Sequence, residues 1–239
     1  MTKIGILDPE GKNNNPLNDK PYSDTYKKLA KTWSKFPAYE NVSNTLNIIQ
    51  SNQVILITSG TGSGKTVLIP KYVLHNFDYK GHIMVSLPKQ IIAQSAAEYA
   101  ALTLDVELGE QVGYKYKGSE AKYAGKNSNL LYATDGTIVA RLLNDPILQG
   151  VDAVIIDEAH ERKVQIDFML YLLRNVLEKL SQKNKINYRN FDLYYFIEHS
   201  ENYKDDLDDM DNAINMDTQL KFLNNYEIDV RKINIIFNH

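Results

Sequence analysis

Val54–Thr66 reads V-I-L-I-T-S-G-T-G-S-G-K-T, and the fold follows from it. A short apolar run, Val54–Ile57, leads into a turn holding Gly60, Gly62 and Gly64, then Lys65 and Thr66. The residues that follow, Val67–Leu74, can form a helix. Strand, glycine-rich turn and helix in that order make a phosphate-binding loop. Backbone N–H groups converge on phosphate oxygens only where no side chain crowds them, hence the recurring glycine. The next helix points its positive end at the anion. On this reading Ser59, Gly60, Thr61, Gly62, Ser63, Gly64, Lys65 and Thr66 bind nucleotide. Lys65 reaches the β- and γ-phosphates, and the Thr66 hydroxyl ligates Mg²⁺. The strict pattern asks for glycine at position 59; serine there opens the loop without lining the cradle.

A second cluster matches the first. Val151–Ile156 is nearly all apolar and ends in Asp157-Glu158-Ala159-His160. An aspartate at the end of a buried strand is where such sites hold the metal, directly or through water, so Asp157 joins Thr66 as a metal ligand. Glu158, one residue on, can orient a water and take its proton. Lys65, Asp157 and Glu158 are therefore the expected catalytic residues, with ATP and Mg²⁺ as ligands. A histidine in the place of His160 is more often structural than catalytic.

Composition leaves room for this. At 239 residues with 43% apolar content, the chain can bury an ordinary α/β core. No cysteine is present, which excludes disulfides and thiolate metal sites and suits a reducing compartment. No charged-then-apolar leader follows Met1 and no run spans a bilayer, so an intracellular location, cytoplasmic or nuclear, is expected without a membrane partner. The net charge of −3 is uneven: residues 181–239 hold 7 Lys/Arg against 11 Asp/Glu, and residues 1–180 hold 20 against 19. Acidity thus does not argue against a nucleic-acid partner for the first part.

Along the chain, residues 8–24 are rich in Asn, Asp and Pro with no hydrophobic period, and read as a loosely attached, partly disordered lead-in. Tyr26–Phe36 carries Trp33 as a short helix ended by Pro37, and Val42–Gln50 has helical spacing. Strands are expected at His82–Leu87, Gln111–Lys117, Asn129–Ala133 and Val151–Ile156. Helices are expected at Ile91–Leu102, from Thr134 as N-cap, and at Asp167–Leu180, with a polar loop at Ala121–Asn129. Wholly apolar strands alternating with helices give an α/β fold, its mostly parallel sheet covered by helices on both faces. Ligands gather at the carboxyl ends of such strands, where both clusters sit. Beyond Ser181, Phe191–Ile197 can be strand or helix, Asp205–Asp211 is acidic, and Lys232–Phe237 can be a further strand. Lys89, Lys115, Lys117, Lys122 and Lys126 can neutralise a phosphate backbone, although scattered lysines are by default a solvated face.

Asp157-Glu158-Ala159-His160-Glu161-Arg162 reads as a DEAH box. Over roughly Phe36–Leu180 the chain resembles the first RecA-like lobe of a superfamily 2 helicase of the DEAH/RHA type, a P-loop NTPase fold acting mainly on RNA. Ser59–Thr66 resembles that family's G-E-T-G-S-G-K-T, followed by its Ile69-Pro70. Ser86–Ala93 (S-L-P-K-Q-I-I-A) resembles T-Q-P-R-R-V-A-A, with Gln90 replacing the second arginine. Val112–Lys117 resembles V-G-Y-x-x-R, with lysine for arginine, and Tyr132–Gly136 resembles Y-M-T-D-G. The resemblance implies that Lys89, Lys117, Thr134, Asp135 and Gly136 contact a single-stranded RNA backbone, with DNA left open. It also implies the domain limits: 1–35 lead-in, 36–180 ATP-binding lobe, 181–239 an acidic and aromatic segment, insertion or remainder.

Two departures stand out. No Ser-Ala-Thr motif occurs, and the second RecA-like lobe with its arginine finger is absent from this sequence. The expectation is an ATP-binding and ATP-hydrolysing helicase lobe needing a second RecA-like lobe, the chain being a fragment or a split gene product with a second-lobe chain as partner. Alone it would bind ATP weakly, hydrolyse it slowly and unwind nothing. A reading of another class is a catalytically silent P-loop interaction module, or decayed fragment, whose Asp205–Asp211 docks a basic partner. A small-molecule kinase would share the loop but leave T-D-G and S-L-P-K-Q unexplained.

Overall fold

The computed structural model describes residues 4–60, 62–125, 128–161, 163–183, 192–198 and 233–238. Thr61, Lys126, Arg162 and Asp205–Asp211 lie outside the described residues.

The apolar runs form strands because each is buried on both sides: β1 (Val54–Ser59), β2 (Ile83–Leu87) and β5 (Ala153–Ile156) are buried at every position. With β3 (Val112–Lys115), β4 (Leu130–Thr134), β6 (Asp192–Glu198) and β7 (Ile233–Asn238) they make a sheet in the order β3-β4-β2-β5-β6-β1-β7. Every pairing is parallel, so all the described strands end at one edge.

Side chains alternate between the two faces, as strand geometry requires. Ile55, Ile57, Ile83, Val85, Leu130, Tyr132 and Ile155 join one core cluster. Val54, Leu56, Met84, Ala133, Val154 and Ile156 join the other. Helices α1 (Asp24–Trp33), α3 (Val42–Ser51), α4 (Lys65–Asn76) and α5 (Gln90–Leu104) bury residues in the first cluster. Helices α6 (Asp135–Asn144) and α7 (Val164–Lys183) bury theirs in the second. The short α2 (Pro37–Glu40) joins α1 to α3. No helix among the described residues is long and apolar enough to cross a membrane.

The lead-in differs from expectation. Residues 8–24 are described, largely exposed, and anchored at Asp8, Asn15 and Tyr22, which are buried, Asn15 at 2% exposure. Asn15 Nδ2 donates to the Leu104 and Asp105 carbonyls at 2.8 and 3.1 Å, and Asn18 Nδ2 to the Asp105 carbonyl at 3.1 Å. The Ser23 N–H and hydroxyl both donate to the Asp105 carboxylate at 2.7 Å. Asn15 and Asn18 satisfy carbonyls at the end of α5 and Ser23 holds the side chain of its cap residue Asp105, a job that shows no hydrophobic period.

Helix ends and strand sources add further points. Helix α1 ends at Trp33, short of the expected Phe36, and Pro37 opens α2 at its first turn after Phe36 in an extended conformation. Helix α7 begins at Val164, ahead of the expected Asp167, whereas α4 runs through Pro70 as the span Val67–Leu74 expected. The sheet draws β6 and β7 from beyond residue 180, with β6 between β5 and β1.

Candidate nucleotide site and its surroundings

Strand β1 delivers the glycine-rich turn to the sheet edge. Ser59, only 1% exposed, ends it, and its hydroxyl pairs with the Ser63 hydroxyl at 2.8 Å. Serine in place of glycine therefore ties the two ends of the loop together. Gly62 has φ of +78°, and a side chain there would meet open space, so conformation alone asks for glycine. Gly64 has φ of +88°, and a Cβ would lie 2.5 Å from the Phe36 ring, so conformation and space both ask for it.

Gly64 caps α4 without any side-chain hydrogen bond, leaving the positive end of the helix to the loop. Lys65, 6% exposed, is the first helical residue. Thr66 follows, and its hydroxyl donates to Asp157 Oδ2 at 2.6 Å across 91 residues of sequence.

Asp157 sits just past β5 with 1% exposure, its N–H donating to the Ser86 carbonyl at 3.1 Å. Burial pushes its carboxyl above the usual carboxylate range, against the pull of the Thr66 hydroxyl and the Lys65 ammonium. A carboxylate stripped of water beside a hydroxyl oxygen and a helix start suits a hard cation. Magnesium takes one or two protein oxygens plus phosphates and waters, so no cage of carboxylates is needed. Among the described residues there is no such cage.

Glu158 has φ of +56°, the left-handed region that a residue with a Cβ enters at a cost of roughly 1 kcal/mol. The N–H of Glu158 donates to Asp157 Oδ1 at 3.0 Å and its carbonyl accepts from Glu161 at 3.0 Å, so the kink is held from both sides. Glu158 Oε2 lies 3.4 Å from His160 Nε2. Ala159, 7% exposed, packs into the second core cluster and anchors the turn Ala159–Glu161. The box thus holds its two carboxylates in place with backbone, a neighbour and a buried methyl.

The residues expected to face nucleic acid share the same edge but are not gathered into one group. Lys89 and Lys117 are exposed after β2 and β3, with Lys115 and Lys122 also exposed nearby in sequence. Gly136 is exposed at the start of α6. Thr134 is half-buried; it is the N-cap of α6, yet its hydroxyl pairs with that of Thr137 at 2.8 Å and makes no bond to the helix backbone. Asp135 turns inward: 5% exposed, it accepts from the Ser86 hydroxyl at 2.6 Å. Burial raises its carboxyl above the usual range. It ties β2 to α6, and a carboxylate would in any case repel a phosphate. Tyr114 stacks on Tyr116 and Tyr123, with centroids 5.6 and 5.2 Å apart, ordering the chain that carries Lys115, Lys117 and Lys122.

Two residues of the site carry no local sign of their roles. Ser86 stands within a motif, but its partner lies 49 residues away. Phe36 has the look of a helix end, and nothing near it in sequence hints at Gly64, 28 positions on.

Comparison with known proteins agrees with this geometry. A family model described as DEAD/DEAH box helicase matches residues 40–189. The chain is 50% identical over 176 residues to a putative ATP-dependent RNA helicase, L540, of Acanthamoeba polyphaga mimivirus, covering 74% of this chain and 25% of that protein. It is 36% identical over 146 residues to the ATP-dependent RNA helicase HrpA of Borreliella burgdorferi, 61% of this chain and 18% of that one. Against the human protein named probable ATP-dependent RNA helicase DHX40 the identity is 32% over 155 residues, 64% of this chain and 20% of the other. The chain thus spans a quarter or less of these relatives. The crystal structure of the E. coli DExH-box NTPase HrpB superposes with a TM-score of 0.67 at 23% identity, over 86% of this chain and 22% of that one, a likeness of fold. With its RecA-like parallel sheet and a DEAH box at Asp157–His160, the chain belongs to the DEAD/DEAH box helicase family.

Proposed function

We propose that this chain is the ATP-binding and ATP-hydrolysing lobe of a DEAH-type RNA helicase, working with a second RecA-like lobe. One observation carries the reading: the Thr66 hydroxyl and the Asp157 carboxylate, from the two motifs, meet at 2.6 Å. Ser59–Thr66, Thr61 included, would wrap the phosphates with backbone N–H groups, and Lys65 would hold the β- and γ-phosphates. Thr66 and Asp157 would hold Mg²⁺, which when bound neutralises developing phosphate charge. Glu158 would accept a proton from a water as its oxygen adds to the γ-phosphorus and the bond to the β–γ bridging oxygen breaks, leaving ADP and inorganic phosphate. His160, 3.4 Å from Glu158, would help orient that carboxylate.

Lys89, Lys117, Thr134 and Gly136 would touch a single-stranded RNA backbone, and Asp135 would position the turn that bears two of them. The lobe proper would be 36–180, strapped by 1–35, with 181–239 adding strands to its sheet. The names of the relatives support RNA as the partner. An intracellular site of action accords with that partner.

The test is equilibrium binding of Mg–ATP and steady-state turnover, with RNA and a second lobe present, for the wild type, Lys65→Ala and Glu158→Gln. The reading expects binding lost in Lys65→Ala, and binding kept with turnover lost in Glu158→Gln. Equal inertness of all three would leave an interaction module in place of an enzyme.

A further inference from the structure

The phosphate loop is backed by a segment that no motif includes. The Ala38 N–H donates to the Ser63 carbonyl at 3.0 Å. The Phe36 ring lies against Gly64 so closely that an added Cβ would sit 2.5 Å from its Cδ2 and 2.9 Å from its Cγ. Both contacts fall on one peptide unit, Ser63–Gly64.

We propose that Phe36 and Ala38 are positioning residues for nucleotide binding, clamping the Ser63–Gly64 peptide so that its N–H faces the phosphates. The clamp presupposes that the loop binds nucleotide. No cis peptide occurs among the described residues, and in a trans peptide C=O and the next N–H point opposite ways. A Ser63 carbonyl held toward Ala38 therefore turns the Gly64 N–H away from Ala38. Without that hold the glycine, free of side-chain sterics, can rotate the plane and present its carbonyl to the anion. The Phe36 ring, half-buried, packs against the Gly64 end of the unit and holds that end in place.

The clamp itself is anchored. Ala38 is fully buried, and its carbonyl accepts from the Tyr72 hydroxyl at 3.1 Å, which ties it to α4, the helix the loop feeds. Tyr39 packs edge-on to the buried Trp33 at 5.4 Å and donates to the Ile6 carbonyl at 3.1 Å. The Ile6 N–H in turn donates to the Tyr79 hydroxyl at 2.7 Å, beyond the far end of α4. Pro37 fixes φ between the two clamping residues and takes the first position of α2, where a missing N–H costs nothing. Every link ends on a buried partner or on backbone, so the clamp is pre-formed and its ordering is not charged to nucleotide binding.

The test is calorimetric titration of the whole chain with Mg–ADP. Phe36→Ala is expected to weaken binding about tenfold, the scale of a lost pre-organised contact, and Phe36→Leu to recover most of it. Ala38→Pro, which lacks the donor, is expected to match Phe36→Ala; because it also strains Pro37, Phe36→Ala decides the matter if it does not fold. Leu142→Ala, a cavity in the opposite core cluster, serves as a control for stability loss and is expected to bind as the wild type does. Equal affinity of Phe36→Ala and wild type would overturn the clamp, and so would a matching loss in Leu142→Ala. Wild type that fails to bind Mg–ADP would overturn the nucleotide reading itself, a result distinct from either.

Discussion

Two groups of residues share the carboxyl edge of one sheet and are built in opposite ways. The phosphate loop and DEAH box are closed: Lys65 is 6% exposed, Asp157 1%, and Thr66 already touches Asp157. Of the residues proposed for nucleic acid, Lys89, Lys117 and Gly136 are open, exposed and each carried at the end of a different strand, while Thr134 is half-buried and Asp135 turns inward. Phosphoryl transfer gains from groups fixed before the substrate arrives, because reorganisation is then avoided at the moment of reaction. Holding a polymer backbone asks instead for spread, accessible cations that exchange counterions for phosphates. On the proposed function one edge would meet both demands, because parallel strands end together while the turns after them differ in depth.

The comparison breaks most sharply at Lys65. Lys65→Ala is expected to weaken Mg–ATP binding about 100-fold, the loss of a buried charge-assisted contact, while RNA affinity measured by anisotropy stays put. Loss of both together would mean that the two groups are one site. Asp157→Asn comes next. It is expected to remove the Mg²⁺ dependence of nucleotide binding, worth about tenfold or more. The same change is expected to stabilise the ligand-free chain at neutral pH. The folded carboxyl is raised, so its penalty is fully present above that value and fades as pH falls toward the unfolded range near 3.8. Thermal melts of both proteins from pH 7 downward should converge; a destabilised Asp157→Asn at pH 7 would contradict this.

A buried charge outside the site sharpens the contrast. Lys71, fully buried in α4, donates to the Thr103 hydroxyl at 2.5 Å and lies 5.6 Å from the Trp33 ring centroid. Burial lowers its ammonium to about 7 from 10.5. Its penalty is complete below about pH 7 and relieved as pH rises toward 10.5. Lys71→Met is expected to raise stability by about 1 kcal/mol at pH 6.5, less at pH 9.5, with nucleotide binding unchanged. Denaturant melts at the two pH values check it. The smallest effects belong to the open group. Lys89→Ala and Lys117→Ala should each lower RNA affinity only a few-fold and reduce the salt slope by about 1, without touching Mg–ATP affinity.

How much could be read from sequence follows the same division. β1, β2 and β5 were legible because strands buried on both faces must be apolar throughout. Lys65, Thr66, Asp157 and Glu158 were legible because phosphate and metal chemistry fixes residue types at fixed spacing. Contacts made across long stretches of chain were not. Asn15, Asn18 and Ser23 look like solvated loop until the end of α5 is placed beside them. Asp135 sits in a motif that suggests an outward role, but its direction depends on Ser86. Local pattern identifies Lys232–Phe237 as strand-like and leaves Phe191–Ile197 undecided, yet cannot say that the earlier segment lies between β5 and β1.

The central claim is that a nucleotide and its metal lie between the turn at Gly60–Thr66 and the carboxylates at Asp157 and Glu158. A crystal structure of the chain with Mg²⁺ and a non-hydrolysable ATP analogue tests it most directly. The account predicts phosphates on the loop N–H groups and the Lys65 ammonium, with the metal beside the Thr66 hydroxyl and the Asp157 carboxylate. Nucleotide bound elsewhere, with the Thr66–Asp157 hydrogen bond intact and no metal beside it, would contradict it.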